Sequence, residues 1–248
     1  MSRPPIDTLA PVLPPEDMLR SARDQLWSQG WTMLPDVLPG PLLDALTTEC
    51  ERLLATVQAG VGRQSATDNG GGVLVMNGLD ARSELLFDLA RTDELRGMAE
   101  FLLDKAAMPI HTEYFGKPRA SAEPTPPHQD QVFYQDHFAD EPAITFWCPL
   151  QEVTTGQGTL EYGSPAPAQG SLLPHRQSAT VDFGAELVDP FAYTFVPAPV
   201  PVGGCLVHNS YVVHRSGPMT DDRPRRVFAF NYRGSSFRER LRRSGLRP

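Results

Sequence analysis

The chain has 248 residues, 40% of them apolar, and a formal net charge of −8. That length fits one domain with a sizeable core and argues against global disorder. The acidic balance is a poor match to nucleic acid, because phosphate binding needs a basic surface. The three cysteines, Cys50, Cys148 and Cys205, are far apart and form no CxxC pair. This argues against a disulfide framework or a zinc knuckle and points to a reducing cytoplasm. No stretch approaches the roughly 20 apolar residues of a membrane helix, and the N-terminus has no signal-peptide core.

In chain order, the proline-rich residues 1–14 read as a loose arm. The rest, 15–248, reads as a single domain: a helical part over 15–107, a β core over 108–235 and a basic tail over 236–248. PEDMLRSARDQLWSQG, from Pro15 to Gly30, predicts a helix with Met18, Ala22, Leu26 and Trp27 on one face. WTMLPDVL reads as a short strand and turn. PGPLLDALTTECERLLATVQ predicts a second helix, with Leu42, Leu43, Leu46, Cys50, Leu53 and Leu54 at three- and four-residue spacing. Glycine-dense residues 60–72 predict a loop that fits an active-site lid and, equally, a surface loop with no role. A third helix is expected over Thr92–Lys105. Beyond residue 108, prolines and glycines punctuate short β-prone runs: PIHTEYF, QVFYQ, AITFWCPL, GTLEYG, AYTFVPA, GGCLVHNSYVVH and RRVFAFNYR. That pattern predicts a mainly β sandwich or barrel with N-terminal helices packed against it. The tail carries Arg238, Arg240, Arg242, Arg243 and Arg247 and reads as a solvated terminal helix.

The chemistry starts with PPHQDQVFY. In an extended chain, residues i and i+2 face the same side, so His128 and Asp130 can converge on one cation. Taken alone, the triplet fits two satisfied polar residues near a turn better than a metal site. Distal support comes from VVHRSGPMTDDRPRRVFAFNYR, where His214 ends an apolar run. Two histidines and one carboxylate on one face of a metal leave three positions open, the facial triad of non-haem Fe(II) oxygenases. Arg225 follows eleven residues later, at the start of a strand. Strand parity puts Arg225, Val227, Ala229 and Asn231 on one face and Phe228, Phe230 and Tyr232 on the other. An arginine beside small apolar residues and an amide suits a pocket for a small carboxylate. Arg226 then faces away.

The combination HQDQ, GTLEYGSP and GGCLVHNSYVVHRSGPMTDDRPRR resembles the phytanoyl-CoA dioxygenase family. The resemblance extends over about residues 25–235, with the specific motifs within 117–233. It implies a double-stranded β-helix, or jelly roll, and His128, Asp130 and His214 as ligands of Fe(II). It also implies Arg225 as the anchor of the co-substrate 2-oxoglutarate, Ser216 as its helper and Trp147 as a flanking aromatic. The implied reaction uses O2, releases succinate and CO2, and oxidises a C–H bond of a small molecule, most simply by hydroxylation. Arginine-rich, lysine-poor composition hints at a GC-rich bacterial genome, a setting in which the family tailors natural products. Pro165 stands where family members commonly carry histidine; it bears on substrate identity rather than on iron. Halogenases of this scaffold replace the carboxylate by a small residue, and Asp130 argues against that chemistry.

Gln131, Tyr134 and Asn231 are candidates for substrate contact and equally for ordinary structural roles, and His208 is a further candidate for which a buried structural role is the better fit. Gln129 has parity opposed to His128. His111 can line the pocket or serve as a buried structural histidine. His137 and His175 receive no role. Two alternatives use the same ligands: a non-catalytic or differently metallated jelly-roll binding protein, and a zinc hydrolase. CO2 release from labelled 2-oxoglutarate separates the first from an oxygenase, and the second has no use for Arg225.

Overall fold

The computed structural model describes residues 9–58, 66–68, 74–118, 124–134, 141–167, 170–179 and 184–235. Helix α1 spans Glu16–Gln29 and ends at Gly30, whose φ of 93° is the left-handed conformation that glycine adopts at little cost. Its buried residues are Leu19, Ala22 and Leu26. Met18, expected on that face, is exposed, because Leu19 falls closer to the stripe that meets the core. Strand β1 (Trp31–Leu34) follows at once, then helix α2 (Gly40–Gln58), which buries Leu42, Leu43, Leu46, Cys50 and Leu53. Strands β2 (Ala66–Asp68) and β3 (Leu74–Met76) lie within and just after the expected loop. The remainder of that loop, and with it the lid, lies outside the described residues. Helix α3 (Glu84–Leu89) was not expected; the Ser83 hydroxyl caps it by accepting from Leu86 N. Helix α4 (Asp93–Leu103) is capped in the same way by Thr92, which accepts from Leu95 N.

The β core comprises β4 (Ala107–Lys117), β5 (Thr125–His128), β6 (Ala143–Pro149), β7 (Leu160–Ser164), β8 (His175–Gln177), β9 (Ala185–Leu187), β10 (Thr194–Pro197), β11 (Cys205–Asn209), β12 (His214–Ser216) and β13 (Arg225–Gly234). A seven-stranded sheet runs β1-β11-β6-β13-β4-β3-β2, and a four-stranded sheet runs β10-β7-β12-β5; β8 and β9 form a separate ribbon. All pairings are antiparallel. Strand β13 is central, paired with both β4 and β6. The expected mainly β jelly roll with N-terminal helices is the observed fold. QVFYQ is the exception among the expected strands. Asp130–Phe133 forms a 3-10 turn, in which Gln131 N donates to Ser210 O and Tyr134 N to Gln131 O.

Burial follows strand parity. The outer face of the large sheet, with Phe146, Cys148, Val207, Phe228, Phe230 and Tyr232, packs with the helices into one apolar cluster. Tyr232 closes that face by donating to Ala90 O, and Trp27 Nε1 donates to Leu102 O at 2.8 Å. The inner face contributes Trp147, Leu206 and Val227 to a second cluster with Leu160 and Tyr162 of the smaller sheet. Of the expected loose arm, residues 1–8 lie outside the described residues. Residues 9–14 are docked: Leu9 is buried and Val12 N donates to Val37 O at 2.8 Å, so apolar burial and one backbone bond tie them down. The basic tail, 236–248, also lies outside the described residues.

One junction couples the helices to the site. After Asn209 the chain leaves the large sheet in a turn in which Asn209 Oδ1 accepts from Tyr211 N and Val212 N, both at 3.0 Å, and then enters β12 at His214. Asn209 Nδ2 donates to Leu26 O in α1. Gly30 packs on this turn so closely that a Cβ there would lie 2.4 Å from Val212 Cγ2 and 2.6 Å from Val212 Cβ. Gly30→Ala therefore combines an unfavourable φ with a clash against a buried side chain. A loss of about 1–3 kcal/mol in unfolding free energy is expected by chemical denaturation, with the slope against denaturant unchanged.

Candidate metal centre

Cross-strand register builds the centre. On the smaller sheet His214 stands directly opposite His128 on one side and Tyr162 on the other, and such pairs present their side chains to the same face. The two imidazole rings are 4.4 Å apart between centroids. Gln129 continues the extended backbone of β5, so Asp130, at the start of the 3-10 turn, points the same way as His128. Asp130 Oδ1 lies 3.6 Å from His128 Nε2 and 3.5 Å from His214 Nε2. The three residues offer ligand atoms all within 4.8 Å of one another. The Nδ1 atom of each histidine faces a carbonyl, His128 towards Pro126 O at 2.8 Å and His214 towards Val212 O at 3.2 Å. That fixes the tautomer which leaves both Nε2 atoms free to ligate.

The second oxygen of Asp130 is held elsewhere. Its Oδ2 is 3.1 Å from His208 Nε2 and accepts from Thr145 Oγ1 at 3.3 Å. His208 Nδ1 in turn meets Tyr162 OH at 3.0 Å, and Tyr162 stacks on Trp31 with ring centroids 4.6 Å apart. Thr145 Oγ1 also lies 2.8 Å from Asn231 Oδ1, so its single proton is shared between these two acceptors, and Asn231 Nδ2 donates to Glu113 Oε2 at 2.8 Å. Glu113 completes the wall with His111 Nε2 at 3.2 Å. The carboxylate is thus gripped through Oδ2 and presents Oδ1 between the two imidazoles.

The electrostatics suit a cation. Burial works against ionised Asp130, but the surrounding imidazoles, His214 first, hold its pKa well below the usual carboxylate range. Burial, together with the neighbouring histidines, pushes His214 down to about 3 despite the Asp130 charge, so it is neutral at physiological pH. Burial also opposes the charged form of His128, yet its hydrogen bond to Asp130 raises it overall. One negative charge and imidazoles able to give up their protons are what a divalent metal needs.

Arg225 lies at the other end of the inner face. It is 3% exposed, its guanidinium carbon is 5.3 Å from the Trp147 ring centroid, and its Nη1 donates to Gly158 O. Its Nε, buried, has no partner among the described residues. Burial lowers its pKa to about 10. Ser216 Oγ donates to Thr125 Oγ1 at 3.1 Å, beside this site. Arg226 faces the helices, 3.6 Å from Glu51, as parity requires.

The remaining sequence candidates separate cleanly. Gln131 is buried, and its Oε1 accepts from Ser210 Oγ at 2.6 Å. Gln129 clamps the base of the site: its amide donates to Tyr211 O and Ser171 O, and its N–H donates to His175 Nε2 at 3.1 Å. Tyr134 is buried with its ring 6.1 Å from His111. His208 and Asn231 belong to the shell that holds Asp130. His137 lies outside the described residues. Thr145, Glu113, Tyr162 and His175 carried no signal in the sequence, because the contact that ties each to the site comes from a partner 15 or more residues distant.

Residues 27–227 match the phytanoyl-CoA dioxygenase (PhyH) family. The chain belongs to this family. It is accordingly an oxygenase that uses Fe(II) and 2-oxoglutarate. Solved structures of PhyH-like fold align over most of the chain. EvdO2 from Micromonospora carbonacea var. aurantiaca, complexed with 2-oxoglutarate, is 22% identical, with 91% of this chain and 94% of that one covered and a TM-score of 0.71. The epimerase SnoN in complex with Fe3+, α-ketoglutarate and nogalamycin RO is 20% identical over 89% of this chain and 85% of that one, with a TM-score of 0.68. The carbocyclase SnoK from nogalamycin biosynthesis is 19% identical over 90% of each chain, with a TM-score of 0.69. At these identities the likeness establishes the fold. None of the curated proteins matches the chain. No helix among the described residues is long and apolar enough to cross a membrane.

The grip on Asp130 Oδ2 has a measurable consequence. His208→Leu removes one of its two partners without touching Oδ1, so divalent-metal affinity is expected to fall ten- to a hundredfold, read by competition with a chelating dye. An unchanged affinity would show that Thr145 alone fixes the carboxylate.

Proposed function

We propose that this protein oxidises a C–H bond of a small natural product, most simply to the alcohol, with His128, Asp130 and His214 holding Fe(II) and Arg225 holding the remote carboxylate of 2-oxoglutarate. One observation carries the reading: a His–Asp–His group, of which His214 is buried and His128 and Asp130 are partly exposed, shares its inner wall with a buried arginine that has no counter-ion among the described residues. Thr145, which touches Asp130, and Trp147, which flanks Arg225, are alternate residues of β6. Alternate strand residues face the same side about 7 Å apart. His214 and Ser216 span the same interval on β12. A short dicarboxylate fits that spacing, with one end at the metal and the other at the cation.

The donor set fits the metal as well. Imidazole and carboxylate together suit Fe(II), and three protein ligands leave room for co-substrate and O2. Bound iron with 2-oxoglutarate and O2 supplies the oxidant for C–H cleavage, with succinate and CO2 as by-products. The protein's share is orientation and exclusion of water. His208 and Thr145 hold Asp130 so that Oδ1 faces the metal position. The Pro126 and Val212 carbonyls fix the rings of His128 and His214. Trp147, Leu206 and Val227 keep the floor apolar, which strengthens each charge interaction inside. Phe133, half-exposed and edge-on to His128 with centroids 6.3 Å apart, forms an apolar rim on the substrate side. The His111–Glu113–Asn231 wall supplies polar groups nearby.

The likeness to SnoN and SnoK supports a natural-product substrate. Epimerisation and ring closure, like hydroxylation, begin at a C–H bond, so the substrate decides the outcome. The absence of a disulfide pattern among the cysteines supports a cytoplasmic setting.

Release of CO2 from carboxyl-labelled 2-oxoglutarate tests the reading directly. His214→Ala is expected to abolish iron-dependent release, and full turnover in that variant without added imidazole would overturn the ligand assignment. Arg225→Lys keeps the charge but loses the two-pronged contact. It is expected to raise the Michaelis constant for 2-oxoglutarate roughly ten- to a hundredfold, whereas Arg226→Lys, directed at Glu51, leaves it unchanged.

A further inference from the structure

The row of contacts behind Asp130 does not end at His208. His208 Nε2 faces Asp130 Oδ2 at 3.1 Å, and its Nδ1 faces the Tyr162 hydroxyl at 3.0 Å. Tyr162 stacks in turn on Trp31, with ring centroids 4.6 Å apart and an interplanar angle of 10°. Register fixes the row. Trp31 stands directly opposite His208 in the β1–β11 ladder, and Tyr162 stands opposite His214 in the β7–β12 ladder. Tyr162 is 1% exposed, whereas Trp31 is partly exposed on β1, an edge strand of the large sheet. Each step is a hydrogen bond or a ring stack, and the row runs from a proposed metal ligand to solvent.

Tyrosine and tryptophan are the side-chain rings that give up an electron most readily. A phenol does so only if its proton leaves as well. The His208 tautomer that donates from Nε2 to Asp130 leaves Nδ1 as the acceptor for that proton. The Asp130 carboxylate favours the imidazolium so formed. The near-parallel Tyr162 and Trp31 rings overlap face to face, the arrangement that passes an electron on. Trp147 is a poorer outlet, because the Arg225 guanidinium 5.3 Å from its ring opposes any gain of positive charge there. Phe133 is edge-on to His128, but its ring is hard to oxidise.

We propose that His208, Tyr162 and Trp31 form a relay that carries oxidising equivalents from the metal centre to the protein surface when no substrate is bound. The inference rests on the assigned oxygenase function. Tyr162 gives an electron to the metal centre and its phenol proton to His208 Nδ1. Trp31 then gives an electron to Tyr162, His208 returns the proton, and the indole proton goes to water. The net result is one electron delivered to the centre, one proton released and a tryptophan radical at the surface. A soluble one-electron reductant of the ascorbate class restores Trp31. Without it, a second electron leaves by the same route, water adds to the indole, a further proton is lost, and Trp31 gains one oxygen atom. The two electrons, with two protons, convert the unused oxidising equivalent at the iron to Fe(II) and water.

The test needs no substrate. The Fe(II) protein is mixed with 2-oxoglutarate and O2, frozen during the first turnover for electron paramagnetic resonance, and separately digested for peptide mass spectrometry. The expected signal is an organic radical whose lines narrow when the tryptophans are deuterated. One added oxygen atom is expected on the Trp31 peptide, with loss of that modification when ascorbate is present or Zn(II) replaces iron. Trp27, packed among the helices, is expected to stay unmodified. Trp31→Phe keeps a stacked ring but removes the readily oxidised indole. The radical is then expected to stay on Tyr162 and to narrow with deuterated tyrosine instead, a change that a purely structural stack would not produce. Consumption of 2-oxoglutarate by the natural protein with no radical and no oxygen on Trp31, or with Phe133 or Tyr134 oxidised instead, overturns the relay and leaves the assigned function standing. That measurement holds even if Trp31→Phe fails to fold. Absence of any 2-oxoglutarate consumption overturns both.

Discussion

Ionised groups buried inside a β-sandwich set the terms for everything else in this structure. Removing a charge from water is costly unless it is met by partners. Asp130 is met by three imidazoles and a hydroxyl. Arg225 and Lys117 are met by carbonyl oxygens alone. The first is a carboxylate faced by imidazole nitrogens, and the second is a pair of cations set across one strand pair. The fold thus holds two groups of opposite sign on one inner face.

Holding such charges in place requires a scaffold that does not relax around them. The pairing of β5, β12 and β7 fixes His128, His214 and Tyr162 in one row. The large sheet brings Thr145, Asn231 and Glu113 beside the same carboxylate, and its outer face is sealed by the helices. The Asn209 turn is the point where the two sheets exchange the chain. It delivers His208 on one side of Asp130 and His214 on the other, six residues apart in sequence but on different sheets. The Gly30–Val212 contact presses α1 directly onto that turn, so helix packing and metal geometry share one set of atoms.

How much of this is legible in the sequence depends on the range of each signal. His128 and Asp130 are two residues apart in an extended segment, and strand periodicity reads that pair directly. Arg225 and Arg226 are told apart by parity alone, because β13 is regular over that stretch. The same rule fails for QVFYQ, where Gln131 N finds Ser210 O and the chain turns. It misplaces Met18 against Leu19 because a helix face is broad. Lys117 gives no local signal: FGKPR reads as a strand ending at a proline. Its partner in the ladder is more than a hundred residues away. His208 looks like any histidine in a β-prone run until Asp130 and Tyr162 are placed around it.

The distribution of charge also decides how the co-substrate is captured. The chain carries a net charge of −8, so its long-range field repels a dianion rather than steering it. At physiological ionic strength that field is screened within about 8 Å, and what remains is local. Recognition must then come from short, charge-assisted hydrogen bonds inside the site, which salt hardly weakens. One of the two lysines is spent where no solvent reaches it, facing an arginine across a strand pair. A surface lysine would have softened the net charge without adding any such contact. The interior position adds nothing to solubility and is costly in desolvation. An acidic exterior with a cationic interior therefore favours recognition of an anion by contact over recognition by long-range attraction.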